Sequence, residues 1–148
     1  MSSIPRFVEY ASAFEQSFAS DDWSHVEPFF AENAVYEVML DPPMGGRFEG
    51  RDAIIAYFRF VLDGFDRRFA SREIALIDGP TERDGAVWIR GSATYRKDGV
   101  PDLVLVLEET ATFEGDLIQR LEDRYEPAMK QALNAYVAQH GPQLGLAV

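Results

Sequence analysis

The 148-residue sequence contains no cysteine and only two histidines. The lack of cysteine excludes disulfide bonds, thiolate nucleophiles and cysteine-ligated metals. It also fits a reducing compartment, and we expect a cytoplasmic location. No apolar stretch reaches the roughly 18 residues that a membrane-spanning helix requires, and the N-terminal residues lack the basic and then apolar pattern of a signal peptide.

Basic residues are also scarce, with 14 Lys and Arg against 25 Asp and Glu, for a net charge of −11. A surface of this sign repels nucleic-acid phosphates and anionic membranes, so we expect neither as a partner. No carboxylate spacing is typical of a divalent-metal site, and Gly45-Gly46 lacks the Lys and Ser or Thr of a phosphate-binding loop. We therefore expect no metal and no cofactor.

Aromatic residues are abundant instead, at 11 Phe, six Tyr and two Trp. They predict a bulky core or an aromatic-lined cavity that binds a small apolar molecule.

The hydrophobic pattern predicts helices first and a run of strands afterwards. Apolar residues at three- and four-residue steps predict helices over 7–20 and 51–66, and a further helix that Pro127 opens. Ser24 and Glu27 match a capping box, which predicts a short helix between the first two of these helices. Period-two patterns predict strands over 34–40, 69–77, 86–95, 103–113 and 117–125. Segment 41–50, rich in proline and glycine, is predicted to be a loop.

This order predicts one α+β domain over 1–148, with helices packed on one face of a curved sheet. Short connections between the later strands favour antiparallel neighbours. The core is expected over about 7–125, the C-terminal helix over about 127–140 with a stop at Gly141, and a frayed tail over 142–148.

Three stretches resemble the nuclear-transport-factor-2-like superfamily, in its SnoaL-like branch. They are Asp21 to Tyr36, Phe48 to Ile54 and Thr112 to Ile118. The resemblance implies a cone-shaped antiparallel sheet wrapped around the N-terminal helices, with a ligand at the open end. Members include ketosteroid isomerases, scytalone dehydratases, polyketide cyclases, limonene-epoxide hydrolases and non-catalytic binders, and many dimerise through the outer sheet face. The C-terminal helix lies outside the resemblance.

The ketosteroid isomerase pattern transfers only in part. Its tyrosine falls at Phe14 and its aspartate base at Val38, so neither role has its functional group here. Its second aspartate falls near Glu109, which keeps a carboxyl group. The dehydratase and cyclase branches use a pocket histidine, but His25 and His140 are expected outside the cone. Ketosteroid isomerisation by that arrangement is therefore not expected.

The last two strands supply the candidate polar groups. In the first of them, Leu105, Leu107, Glu109, Ala111 and Phe113 share a face that suits the cone interior. In the final strand, the resemblance turns one set inward: Ile118, Arg120, Glu122 and Arg124. Periodicity alone instead favours Leu121 inward, with Leu117 and Tyr125. The resemblance and the periodicity agree if the apolar residues on the outer sheet face are buried in a homodimer. We therefore expect a homodimer that forms through this face.

The candidate site therefore has Glu109 and Glu122 as acid or base. The other residues expected to line the pocket are Phe14, Phe18, Tyr36, Val38, Phe58, Trp88, Arg90, Leu107 and Arg124. An inward Arg90 could pair with either carboxylate, which would then stay ionised and serve only as a structural ion pair.

Three functions stay open at this point. The first is a binding domain for small apolar molecules. The second is a cofactor-independent isomerase, dehydratase, cyclase or hydrolase that uses a pocket carboxylate. The third is a dimeric protein-interaction module.

Overall fold

The computed structural model describes residues 2–146, which form three α-helices and one six-stranded sheet. In chain order the elements are α1 (Ile4–Ser20), β1 (Phe30–Val38), β2 (Gly46–Glu49), α2 (Arg51–Gly64), β3 (Ser71–Arg83), β4 (Ala86–Arg96), β5 (Leu103–Glu114), β6 (Leu117–Arg124) and α3 (Pro127–Leu144). Two 3₁₀ turns, Trp23–His25 and Glu27–Phe29, stand where a short helix was expected, and Asp22 rather than Ser24 caps the first of them. The predicted α+β class is confirmed.

The sheet has the strand order β2-β1-β6-β5-β4-β3. Each neighbouring pair is antiparallel except β1 and β6, which are distant in sequence and pair in parallel. The prediction that segment 41–50 is entirely loop is wrong, because Gly46–Glu49 pairs with the end of β1. Four residues flanked by glycines are too short for a period-two pattern to stand out.

Helices α1 and α2 pack their aromatic faces against the inner side of the sheet. Trp23 stacks on Phe58 of α2 at 5.7 Å between ring centroids, and Phe14 of α1 meets the same Phe58 ring edge-on at 5.1 Å. Phe30 of β1 and Ile54 of α2 are fully buried in this cluster. The aromatic excess of the sequence is therefore used mainly to fill the space between helices and sheet.

Helix α3 is longer than the sequence predicted. It continues past Gly141 to Leu144 and is capped by Gly145, whose φ of 72° suits glycine. Leu144 is 2% exposed and, with Leu133, packs against a buried group that includes Phe65 and Tyr95. Burial of Leu144 explains why the frayed tail does not begin at residue 142. Residues 147–148 of that predicted tail lie outside the described residues.

A β-bulge in the β5–β6 ladder decides which side chains of β6 face inward. Ile118 pairs with Phe113, yet Arg120 pairs with Thr112, so one residue of β6 is left over between the two pairs. Ile118 and Leu121 are consequently both fully buried on the inner face, three residues apart.

Beyond the bulge, Asp123 continues the inward set at two-residue spacing. The inward placement expected for Arg120, Glu122 and Arg124 is therefore wrong, and the periodicity of Leu121 indicated the correct face.

Leu121 and Leu117 offer a matched test of this register. Replacing the fully buried Leu121 with Ala should lower the free energy of unfolding by about 2–5 kcal/mol, because it leaves a cavity between helices and sheet. Leu117→Ala should change it by less than about 1 kcal/mol, because Leu117 is 39% exposed. Urea unfolding followed by tryptophan fluorescence measures both. Equal effects would contradict the described register.

Candidate functional site

A cavity of about 240 Å³ lies between the helices and the inner face of the sheet. Most of its wall is apolar, with Phe14 and Phe58 on the helix side and Leu107 on the sheet side. Its lining also includes the exposed residues Glu15 of α1 and Ile74 of β3. The cavity therefore reaches the surface between α1 and β3.

Two carboxyl groups meet in this apolar cavity. Glu109 of β5 lies directly opposite Asp123 of β6, and their side chains are hydrogen bonded to each other. Tyr36 of β1 donates its hydroxyl proton to Oδ2 of Asp123. When both carboxyls are ionised, no group of the described residues donates to the buried Oδ1 of Asp123. A proton on Glu109 supplies that missing hydrogen bond.

The surroundings of the pair favour a single shared proton. Burial raises the pKa of Glu109 well above its usual range, and the charge of Asp123 raises it further. Burial also raises the pKa of Asp123, while the hydrogen bonds from Glu109 and Tyr36 oppose the rise. The rise is greater for Glu109, so Glu109 is the member of the pair that holds a shared proton more readily and Asp123 is the carboxylate. One shared proton leaves one negative charge on the pair.

Tyrosine hydroxyls surround the carboxyl pair. Tyr36 meets the ring of Tyr57 edge-on at 5.6 Å, and Tyr10 lines the same cavity. Burial raises the pKa of Tyr36 and of Tyr10 well above the usual value, and nearby carboxylates add to the rise. All of these hydroxyls therefore stay neutral and act as hydrogen-bond donors or acceptors.

A second polar cluster lines the same cavity. Arg72 of β3 places Nε 3.1 Å from Oδ2 of Asp66 and Nη1 2.7 Å from Oε1 of Glu15, and the Tyr95 hydroxyl donates to the same Asp66 oxygen at 3.1 Å. Burial raises the pKa of Asp66 to about 6, although the charge of Arg72 and the Tyr95 hydrogen bond limit the rise. Arg72 is thus already paired on both sides and does not present a free cation to the cavity.

The structure brings some of the predicted site residues together. The cavity lining includes Glu109, Phe14, Tyr36, Val38, Phe58 and Leu107. The three positions that the ketosteroid isomerase resemblance singled out, Phe14, Val38 and Glu109, thus face one space.

The other predicted site residues lie elsewhere. Glu122 is on the outer sheet face, where its Oε1 is 2.6 Å from Nε of Arg120. Arg90 and Arg124 are exposed on that face, because their strand positions alternate with inward residues. An ion pair of Arg90 with Glu109, considered from the sequence, is therefore excluded.

Two aromatic residues expected in the pocket also have other surroundings. Trp88 donates its indole proton to Glu108 at 3.2 Å, and the guanidinium of Arg83 lies 4.1 Å from its ring centroid. The guanidinium carbon of Arg72 lies 4.7 Å from the ring centroid of Phe18, and Phe18 does not line the cavity.

Sequence reasoning missed the functional groups that complete the site. Asp123 was overlooked because the final strand was assigned the opposite face, although the period from Leu121 pointed to it. Asp66 and Arg72 had no detectable sequence signal, because their contact depends on how the chain turns between α2 and β3, which no periodicity predicts.

Two of the three apolar residues that supported an outer-face homodimer lie inside the domain. Leu121 is buried in the core of its own chain, and Tyr125 lines the cavity, whereas Leu117 is 39% exposed. The outer face also carries charged pairs, such as Glu37 with Arg120 at 2.6 Å. Homodimer formation stays a prediction, with Leu117 alone of the three residues left in support of it.

Metal and membrane contacts were also considered. Within residues 2–146, no three side chains among His, Asp and Glu converge in a way that could hold a metal ion. Over the same residues, no helix is both long and apolar enough to cross a bilayer.

The helices and the curved six-stranded sheet form an α+β cone domain. The family model of the SnoaL-like domain matches residues 11–123. The chain therefore belongs to the SnoaL-like domain family, and the resemblance seen in the sequence is confirmed. A search of curated proteins found no match to the chain.

Solved structures with the same fold are distant in sequence. Bal32a, from a soil-derived mobile gene cassette, has a TM-score of 0.69 and 18% identity over 91% of this chain and 98% of its own. An NTF2-like protein of unknown function from Burkholderia pseudomallei has a TM-score of 0.66 and 20% identity over 92% of this chain and 98% of its own. TerC, co-crystallised with polyporic acid, has a TM-score of 0.67 and 14% identity over 90% of this chain and 98% of its own. Identities this low establish the shared fold alone.

The raised pKa of Asp66 predicts a specific pH dependence of stability. The folded state holds the Asp66 proton up to about pH 6, whereas the unfolded chain releases it near pH 3.8. Its stabilising contribution is complete below about pH 4 and is lost as the pH rises through 6. The difference of roughly two pKa units corresponds to about 3 kcal/mol as an upper value.

Asp66→Asn should remove this part of the pH dependence. Urea unfolding of the wild type and the variant at pH 4 and pH 7 isolates the contribution, because the remaining carboxylates are common to both proteins. An unchanged difference between the two pH values in the variant would mean that Asp66 titrates normally.

Proposed function

We propose that the cavity binds a small, largely apolar and uncharged molecule carrying at least one polar oxygen. The observation that carries this proposal is the Glu109–Asp123–Tyr36 cluster at the inner end of an apolar cavity that reaches the surface. Apolar walls with a few convergent polar groups are typical of small-molecule sites. The apolar surface supplies affinity, and the cluster fixes the orientation of the ligand.

Charge narrows the class of ligand. The carboxyl pair holds one negative charge, and Arg72 is neutralised by Asp66 and Glu15. An anionic group brought beside Asp123 would be repelled in a medium of low dielectric constant. Ketones, phenols and alcohols avoid this repulsion. Glu109 keeps part of its surface facing the cavity, and its oxygen without the proton can accept a hydrogen bond from the hydroxyl of a phenol or an alcohol. The co-crystallisation of TerC with polyporic acid supports ligand binding by this fold.

A thermal-shift screen with neutral ketones, phenols and alcohols tests binding. A ligand held at about 100 times its dissociation constant should stabilise the fold by roughly 2.7 kcal/mol, or about 5–10 °C in Tm for a domain of this size. Leu107→Trp should abolish the shift by filling the cavity. Val104→Trp, on the exposed outer side of the same strand, is the matched control and should retain the shift. Equal shifts in both variants would place the ligand outside the cavity.

A second candidate function, acid–base catalysis on the bound molecule, is favoured by the shared proton. Loss of that proton would leave two adjacent buried negative charges, whereas gain of a second proton removes the charge already there. The pair therefore works better as a proton acceptor. Glu109 takes a proton from a carbon beside a ligand carbonyl, its own proton moves to Asp123, and the ligand becomes an enolate. Return of the proton to another carbon gives an isomer, and the pair regains its starting state.

Hydrogen–deuterium exchange tests this step without a known substrate. A ketone that binds in the screen should exchange its α-hydrogens in D₂O, as followed by NMR. Asp123→Asn and Glu109→Gln should each slow the exchange about 10²–10⁴-fold. Glu122→Gln is the matched control, because Glu122 neighbours Asp123 but lies on the outer face. Binding without catalysed exchange in the wild type would leave the binding proposal intact and refute the catalytic one.

A further inference from the structure

A second cavity lies beside the first. It has a volume of about 360 Å³ and is bounded by the loop after β1, the end of α2 and helix α3. Its lining includes Phe60, which is 53% exposed, and Val137 of α3. Three polar residues, Asp41, Arg68 and Asn134, are also in the wall. Asn134 donates to Asp41 at 3.1 Å, and Nε of Arg68 donates to the backbone carbonyl of Asp63 at 3.2 Å. The space is thus suited to an alkyl or aryl group.

The two cavities share part of their walls. Leu40, Met44, Val61 and Phe65 line both. Phe65 is 2% exposed and packs against the rings of Phe69 and Tyr95, so it is fixed in place.

Met44 is the adaptable part of this wall. The Tyr57 hydroxyl holds its backbone carbonyl, while its thioether side chain has three rotatable bonds. Of the four shared residues, Met44 therefore has the side chain that can change conformation most readily.

Size argues that the two spaces act together. The first cavity, at about 240 Å³, is smaller than typical small-molecule sites, which occupy about 300–1,000 Å³. Joined to its neighbour of about 360 Å³, it falls within that range. The polar groups that can orient a ligand are in the first cavity, and apolar side chains dominate the wall of the second. The arrangement suits a molecule with one polar end and an extended apolar end.

We propose that the two cavities form one composite site for an elongated ligand. Its polar end lies at Glu109 and Asp123, and its apolar tail passes Met44 and lies beneath α3. This inference rests on the proposed function, since it adds a second chamber to the same site. Helix α3, the element outside the predicted core, then forms part of the ligand-binding wall.

A series of 4-alkylphenols from 4-methylphenol to 4-nonylphenol tests the composite site by calorimetry. When the alkyl chain of the phenol is too long for the first cavity alone, each further methylene should still tighten binding about fourfold. This is the gain expected for a buried methylene group. Val137→Trp fills the second cavity and should remove this gain for the long phenols, while 4-methylphenol binds within about twofold of the wild type. Ala138→Trp, at an exposed neighbouring position on α3, should leave the whole series unchanged.

Each outcome separates this inference from the proposal on which it rests. Failure of 4-methylphenol to bind the wild type, when other neutral probes also fail, counts against the first cavity itself. A chain-length gain that survives in Val137→Trp would overturn the composite site. So would long phenols that bind Leu107→Trp as tightly as the wild type, because the second cavity would then act alone. Val137→Phe, a smaller filling, serves where Val137→Trp lowers the Tm of the unliganded protein.

Discussion

The register between β5 and β6 is the constraint on which the cavity depends. The bulge beside Thr112 and Phe113 lets Ile118 and Leu121 both enter the core, and it turns Asp123 toward Glu109. In a regular strand, Ile118 and Leu121 would face opposite sides of the sheet because they are three residues apart. The extra residue of the bulge puts both on the inner face. Tyr36 reaches Asp123 because β1 pairs in parallel with this same strand, at the other edge of β6. One local irregularity thus assembles groups from three strands.

That assembly costs stability, which argues for a role beyond holding the fold together. Two carboxyl groups opposite each other inside an apolar wall oppose folding unless they share a proton, whereas a pair of apolar side chains would pack there without penalty. Asp66 is different, because Arg72 and Tyr95 compensate its charge directly. Groups kept in unfavourable surroundings with an incomplete set of partners are concentrated at functional sites. That criterion favours the Glu109–Asp123 pair over the Asp66–Arg72 pair as the site of the proposed function.

The fold class could be predicted from the sequence because each helix and strand repeats its hydrophobic pattern several times. The predicted strands and the long helices each extend over about seven residues or more, so an error at one position leaves the assignment intact. The site depends on single positions, and a one-residue shift moves a side chain to the other face of a strand. Glu109 lies in a strand with an unbroken two-residue period, so its inward face was predicted correctly. Glu122 follows a bulge, and no residue type in β6 indicates that bulge in the sequence. Asp66 and Arg72 meet only through tertiary structure.

The distribution of charge connects the site to its surroundings. On the outer face, Arg120 forms ion pairs with both Glu37 and Glu122. The hydrogen bond from Arg120 lowers the pKa of Glu37, which therefore stays ionised. The inner pair has no arginine among its contacts and must keep a proton instead. The same residue type therefore has two behaviours on opposite sides of one sheet.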